Sequence, residues 1–248
     1  RASCKAAPEA ARPVCVVVGV GQGGIGEHTA QKFSDEGYSV AMLARRLENL
    51  NAIEAQIANS KGFCCDVSDT KQINATVEAI LTQYGAIDVL IVNTSGGAFK
   101  SFDATTQEDF DRGLQSGPSA LFALAKAVTP GMLERGKGVI GVTGATAAWR
   151  GMPNTSSKAA SNFGMRALCQ SLARDMAPKG VHVFHIVVDG IVDQPRTRKW
   201  MPNKPPEEFI SPAAIAETYY ALATQPRSCW TSEINVVAGA AFGSSASI

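Results

Sequence analysis

The chain has 248 residues, 45% of them hydrophobic and 18% charged, which suits one α/β domain with a full core. A net charge of +1 favours neither nucleic acid nor an anionic membrane as partner, and no apolar run is long enough to span a bilayer. The six cysteines form no Cys-x-x-Cys pair, so free thiols in a reducing compartment are expected rather than disulfides, with Cys15, Cys64 and Cys169 in core elements.

Residues 1–12 read as a basic extension, 13–238 as a single α/β domain, and 239–248 as a flexible Gly/Ser/Ala-rich tail. Arg1 to Pro13 holds one acid, Glu9, among Ala, Arg and Lys. That composition fits the end left by removal of a plastid or mitochondrial transit peptide; a chain shortened for another reason reads the same way and leaves the cytoplasm as the compartment. The apolar run Val14 to Val18 then predicts a buried parallel strand. Gly19, Gly21, Gly23, Gly24 and Gly26 follow it and lead into a helix from Ile25 to about Gly37. Bare backbone between a strand and a helix N-terminus can meet a phosphate, or can simply be a tight turn. A second strand, Ser39 to Ala44, ends in Arg45-Arg46, and a helix is expected from Leu47 to about Asn59. A short strand ends at Cys65, and Asp66-Val67-Ser68-Asp69 supplies turn and cap residues. The next helix places Ile73, Val77, Ile80, Leu81 and Tyr84 on one face.

Ile87 to Val92 is the fourth expected strand, closed by Asn93-Thr94-Ser95-Gly96-Gly97. Thr105 to Met132 is helical but broken at Gly117-Pro118, where a kink is expected because Pro lacks a donor and clashes with the preceding turn. Val139 to Thr143 is the fifth strand, Thr155 to Met176 a long helix, and Val181 to Val188 the sixth strand. Asp189 to Ser211, with four prolines, reads as a surface loop. A helix from Pro212 to Thr224 and a strand from Glu233 to Val237 complete the series. Alternation of this kind implies right-handed crossovers and a seven-stranded, mostly parallel, doubly wound sheet of the Rossmann type, with helices on both faces.

Several segments in register resemble the short-chain dehydrogenase/reductase family, over roughly Pro13 to Val237. These are the glycine turn, Asp66-Val67, Asn93-Thr94-Ser95-Gly96, Lys158 at the start of a long helix, and Asp189-Gly190-Ile191-Val192. The resemblance implies a dinucleotide held by Gly19, Gly21, Gly23 and Ile25, with the adenine beside Asp66 and Val67. Asn93, Lys158, Gly190 and Val192 complete that site. It also implies the strand order 3-2-1-4-5-6-7, and a homo-oligomer, or contact with another subunit, through the helices 105–132 and 155–176. Counted back from Gly24-Ile25-Gly26, the family's first Gly falls on Val20. Either Gly19 takes that role in a loop one residue longer, or the phosphate grip differs.

The catalytic pattern departs further. Lys158 matches the family's Lys and is the one catalytic residue carried over. The Tyr four residues before it is Asn154, whose carboxamide has no titrating proton. Aligned on Arg150-Gly151, the Ser falls on Ala145, with Thr143 and Thr146 nearby. The Asn falls near Ser116-Gly117. Asp189, at the C-terminal end of strand six, can pair with Lys158 or simply turn the chain. His185, Tyr219 and Tyr220 read as packing residues. Where an NAD site places an acid at the end of strand two, this chain has Arg45 and Arg46, which favours NADP through bonds to a 2′-phosphate. Two functions follow: an NADP-binding protein with little or no catalysis, such as a structural or sensing subunit, or an NADPH-dependent carbonyl or enoyl reductase with an atypical site.

Overall fold

The structure, a computed structural model, describes residues 12–94 and 96–240. The basic extension through residue 11 with Cys4, then Ser95, and the tail from 241 lie outside the described residues.

Seven strands form one sheet in the order 3-2-1-4-5-6-7, as expected, with every described pairing parallel. The strands are β1 (Val14–Val18), β2 (Ser39–Ala44), β3 (Ser60–Cys64), β4 (Val89–Val92), β5 (Gly138–Ala145), β6 (Val181–Val188) and β7 (Glu233–Val236). Every residue of β1, β4 and β6 is buried, which explains why those strands read as unbroken apolar runs rather than alternating ones. Helices α1 (Ile25–Asp35), α2 (Leu47–Glu54), α3 (Thr70–Tyr84), α4 (Gln107–Leu114), α5 (Ala120–Glu134), α6 (Ser156–Met176), α7 (Pro195–Trp200) and α8 (Pro212–Ala223) complete the fold. Two apolar clusters sandwich the sheet. One gathers Ile73, Leu121, Leu124 and Met165, the other Phe33, Leu50, Ile215 and Tyr219.

Local chemistry sets the helix ends. The Asp69 carboxylate accepts from the N–H of Lys71 (2.8 Å) and Gln72 (3.4 Å), capping α3, and Thr106 with Asp109 forms a capping box on α4. The break at Gly117-Pro118 is present. Residues 115–119 form a π-type turn between α4 and α5 in which Gly117 leaves helical geometry (φ −103°, ψ −105°). Helix α6 packs on that turn: Ser161 Oγ donates to Gly113 O at 2.8 Å, and Gly164 faces Pro118. Gly164 thus serves packing within the chain.

Four expectations are corrected. Helix α2 ends at Glu54, not near Asn59: a tighter bond from Gln56 N–H to Ile53 O at 2.9 Å closes it, and Asn59, with a left-handed φ of 53°, turns the chain into β3. In the Cys64-Cys65 pair it is Cys65 that is buried, while Cys64 is exposed, since β3 is the edge strand. Leu81 turns outward on α3, where Thr76 is buried instead. The proline-containing loop after β6 carries a helix, α7, with Pro195 in its first turn, where its missing N–H costs nothing.

Candidate active site

The strands deliver their C-terminal ends to one sheet edge, where ligands of open α/β sheets bind. Two adjoining cavities lie there, of about 1310 and 620 Å³. Gly19, Arg46, Asn93 and Arg196 border both.

The glycine turn forms the first wall. Gly19 has a left-handed φ of 90°, its N–H donates to Leu43 O at 2.9 Å, and its carbonyl accepts from Asn93 Nδ2 at 3.0 Å. A Cβ on Gly26 would lie 2.5 Å from Gly19 O, so α1 can approach β1 this closely only without a side chain there. Gly19 and Gly26 therefore form the pair that closes strand onto helix, and residues 20–24 bulge between them, with Gly24 N–H bonded to Gly21 O at 3.1 Å. Gly21 and Ile25 line the larger cavity, and nothing stands within 4 Å of a Cβ built on Gly21. Gly23 lines neither cavity. Its N–H is taken by the Glu27 carboxylate at 2.5 Å, and Pro195 of α7 lies against it.

The smaller cavity is bordered by Arg45, Arg46, Asp66, Val67 and Asn93. The Ser68 N–H bonds the Asp66 carboxylate at 3.0 Å and holds its pKa below the usual range, with Arg45 contributing. On the same border the Thr94 hydroxyl oxygen is buried without a hydrogen-bond partner among the described residues. An open glycine backbone, a vacant buried hydroxyl and arginines at the end of β2 fit a phosphate-bearing dinucleotide.

The second wall is the β5–α6 connection. Asn154, four residues before Lys158, is exposed and left-handed (φ 66°), a conformation Asn tolerates far better than bulky residues. Thr155 pins the loop, accepting from Met152 N–H at 2.8 Å and donating to Met152 O at 2.7 Å. Lys100 N–H bonds Asn154 O at 3.0 Å. Lys158 is half-buried with its Nζ 5.2 Å from the Phe99 ring centre, and burial, then the nearby Arg196 charge, lower its pKa. The hydroxyls near Ala145 are tied into the protein. Thr143 Oγ1 donates to Asn93 Oδ1 at 2.9 Å and lies 2.5 Å from the buried Tyr219 hydroxyl, while Thr146 Oγ1 donates to Asp189 Oδ1 at 2.5 Å. Ser116 bonds Arg112 O and borders the smaller cavity. Gly190 and Val192 line the larger one.

Behind this wall Arg166 holds Glu233 by two bonds, at 2.6 and 2.8 Å, and Glu233 accepts from His185 Nδ1 at 3.0 Å. Burial lowers the His185 pKa, only partly offset by Glu233. Its Nε2 has no partner among the described residues, and the ring fills the space a Cβ on Gly144 would need. His185 is a packing residue, as read from the sequence. Sequence reasoning missed the Thr146–Asp189 bond and the placement of Phe99, Arg150 and Arg196 on the larger cavity; Pro195 as a helix-start residue was the available signal for α7.

Comparisons with known proteins agree with this fold. The short chain dehydrogenase family model matches residues 13–205, and the chain belongs to that family. A 3alpha-hydroxysteroid dehydrogenase of Mediterraneibacter gnavus is 29% identical over 247 residues, covering 92% of this chain and 96% of its own. A metagenomic short-chain oxidoreductase solved in complex with NADP superposes with a TM-score of 0.79 at 26% identity, covering 90% of this chain and 96% of that one. A short chain oxidoreductase of Pseudomonas aeruginosa PAO1 containing an atypical catalytic center superposes at 0.82 and 26% identity, over 92% of this chain and 96% of that one.

Proposed function

We propose that this chain binds NADP at the two cavities and that carbonyl reduction by the family's Tyr-dependent route is absent or very weak in it. The NADP-bound relative supports the dinucleotide, and the Arg45-Arg46 pair, with no acid at the end of β2, favours the 2′-phosphorylated form. The glycine turn at Gly19, Gly21 and Ile25 holds the phosphates, Asp66 and Val67 border the adenine, and Asn93, Lys158, Gly190 and Val192 border the rest. When bound, the nicotinamide supplies a hydride. The observation that carries the reading is Asn154: the residue in the Tyr position is an exposed carboxamide on a left-handed turn, with no proton to give a developing alkoxide. A sensing or structural subunit is the role that follows. Phe122 on α5 (54% exposed) and Phe163 on α6 (44%) offer a face for a second copy or another subunit.

One bond favours a second reading, a reductase with an atypical centre. Thr146 lines the larger cavity and its hydroxyl donates to Asp189, which leaves the Thr146 oxygen free to accept from a water that gives its other proton to a carbonyl. Titration of NADPH by its fluorescence, followed by assay on a carbonyl panel, separates the two. Binding without turnover is expected. Turnover at ordinary family rates, abolished by Lys158→Ala or Asp189→Asn, establishes the reductase instead.

A further inference from the structure

The larger cavity has a charge pattern that a dinucleotide alone does not use up. Arg46, Lys100, Arg150, Lys158 and Arg196 line it, and no Asp or Glu among the described residues does. Lys100 is matched by Asp109 at 2.6 Å. Arg46 and Arg196 also border the smaller cavity, on the side of Arg45 and Asp66. Lys158 belongs to the proposed dinucleotide site. Arg150 remains: half-buried, on the β5–α6 connection, and in no ion pair among the described residues.

The same cavity carries four large apolar side chains that the fold leaves in the open: Phe99 (66% exposed), Met152 (54%), Trp200 (60%) and Met201 (42%). They come from three separate segments, the β4–α4 connection, the β5–α6 connection and the end of α7, and they meet on one cavity wall system. Exposed apolar side chains gathered in this way mark a binding surface rather than a core. At about 1310 Å³ the cavity also exceeds the roughly 300–1,000 Å³ of a single small-ligand pocket.

We infer that the larger cavity takes a second small molecule, an apolar- or aromatic-bodied carboxylate, whose body lies against Phe99, Met152, Trp200 and Met201 and whose carboxylate is bound by Arg150. The inference rests on the reading of the two cavities as a dinucleotide site and adds the class of its companion ligand. A cationic site without acids attracts an anion, and a guanidinium holds a carboxylate by two parallel bonds.

The test is calorimetric titration of the full chain with 4-phenylbutanoate and with its neutral amide, each with and without NADP⁺. The acid is expected to bind at least tenfold more tightly than the amide, and its affinity to fall with added salt while that of the amide holds. Arg150→Gln should weaken the acid by roughly tenfold to a hundredfold and leave the amide unchanged, the loss expected for a hydrogen bond to a charged group. Met152→Ser should weaken both alike. Equal binding of acid and amide, an acid unaffected by Arg150→Gln, or binding of neither overturns the inference. Should Arg150→Gln fail to fold, the salt dependence of the unaltered protein decides. NADPH fluorescence on the same samples keeps the two questions apart: NADPH binding without acid preference sinks the inference alone, and acid preference without NADPH binding sinks the dinucleotide reading.

Discussion

The two walls of the larger cavity are built from different parts of the chain. The glycine wall is built from main chain: Gly19 and Gly26 close β1 onto α1, and what remains for a ligand is backbone. The β5–α6 wall depends on side chains, and there Asn154, Ala145, Thr143 and Thr146 are either without a titrating proton or already bonded within the protein. Backbone geometry survives extensive change of sequence as long as a few glycines remain. Proton transfer needs one particular side chain at one position, so a single substitution removes it.

The largest expected effect comes from breaking the glycine wall. Gly26→Val drives a side chain into Gly19 O and Val20 Cα and should abolish NADPH binding. The overpacking costs about 1–3 kcal/mol. In a chain of this size that is roughly 2–4 °C of melting temperature per kcal/mol, read by thermal denaturation. Gly21→Ala sharpens the comparison, because its Cβ meets nothing: an unchanged melting temperature with weaker NADPH binding isolates the cradle from the fold.

The second experiment alters the other wall. Asn154→Tyr with Ala145→Ser should raise NADPH turnover on a simple ketone, by less than the ~10²–10⁴-fold that general acid help supplies. The shortfall follows from the left-handed turn at Asn154, where a bulky residue costs about 1–2 kcal/mol. A full recovery would show that the turn relaxes freely; no gain at all, with NADPH still bound, would place the barrier elsewhere in the wall.

Behind that wall, Glu233→Gln should cost about 1–2 kcal/mol in chemical denaturation, toward the low end for bonds to charged groups because Arg166 and Glu233 are each about a quarter to a third exposed. The pH dependence has a definite sign. His185 is held below its unfolded value of about 6.5, so the unfolded chain binds the proton first and stability falls as pH drops through about 6.5 toward the folded value. His182, lowered mainly by burial, acts in the same direction. A double variant, His182→Phe with His185→Phe, should flatten this part of the profile; an unchanged slope would assign it to other groups. The smallest effect is expected from Tyr219→Phe, about 0.5–1.5 kcal/mol, since Thr143 keeps its bond to Asn93.

The strands and the break at Gly117-Pro118 were legible because both rest on short-range rules, apolar runs between breakers and a residue without an N–H, whereas the strand order came with the family resemblance. The glycine turn was legible for the same reason, since glycine spacing after a strand is local. What the sequence did not disclose depends on distant partners. Nothing near Asp189 points to Thr146, and nothing near residue 154 announces a left-handed turn pinned by Thr155 and Lys100. Prolines between 189 and 211 suggested a loop, although Pro195 in a first helical turn signals a start as readily as a stop. The exposed Cys64 and buried Cys65 were ordered wrongly because β3 is an edge strand, which only the assembled sheet reveals.

The contact between Gly144 and the His185 ring bears on how this chain can change over generations. A side chain gained first at 144 collides with imidazole in a fully packed interior. A smaller residue gained first at 185 leaves a void, at a cost in the range of about 2–5 kcal/mol for large-to-small replacements, which a later Ala at 144 can partly refill. Drift through this corner therefore has a preferred order, and relatives with a side chain at the position of Gly144 should carry a small residue at that of His185.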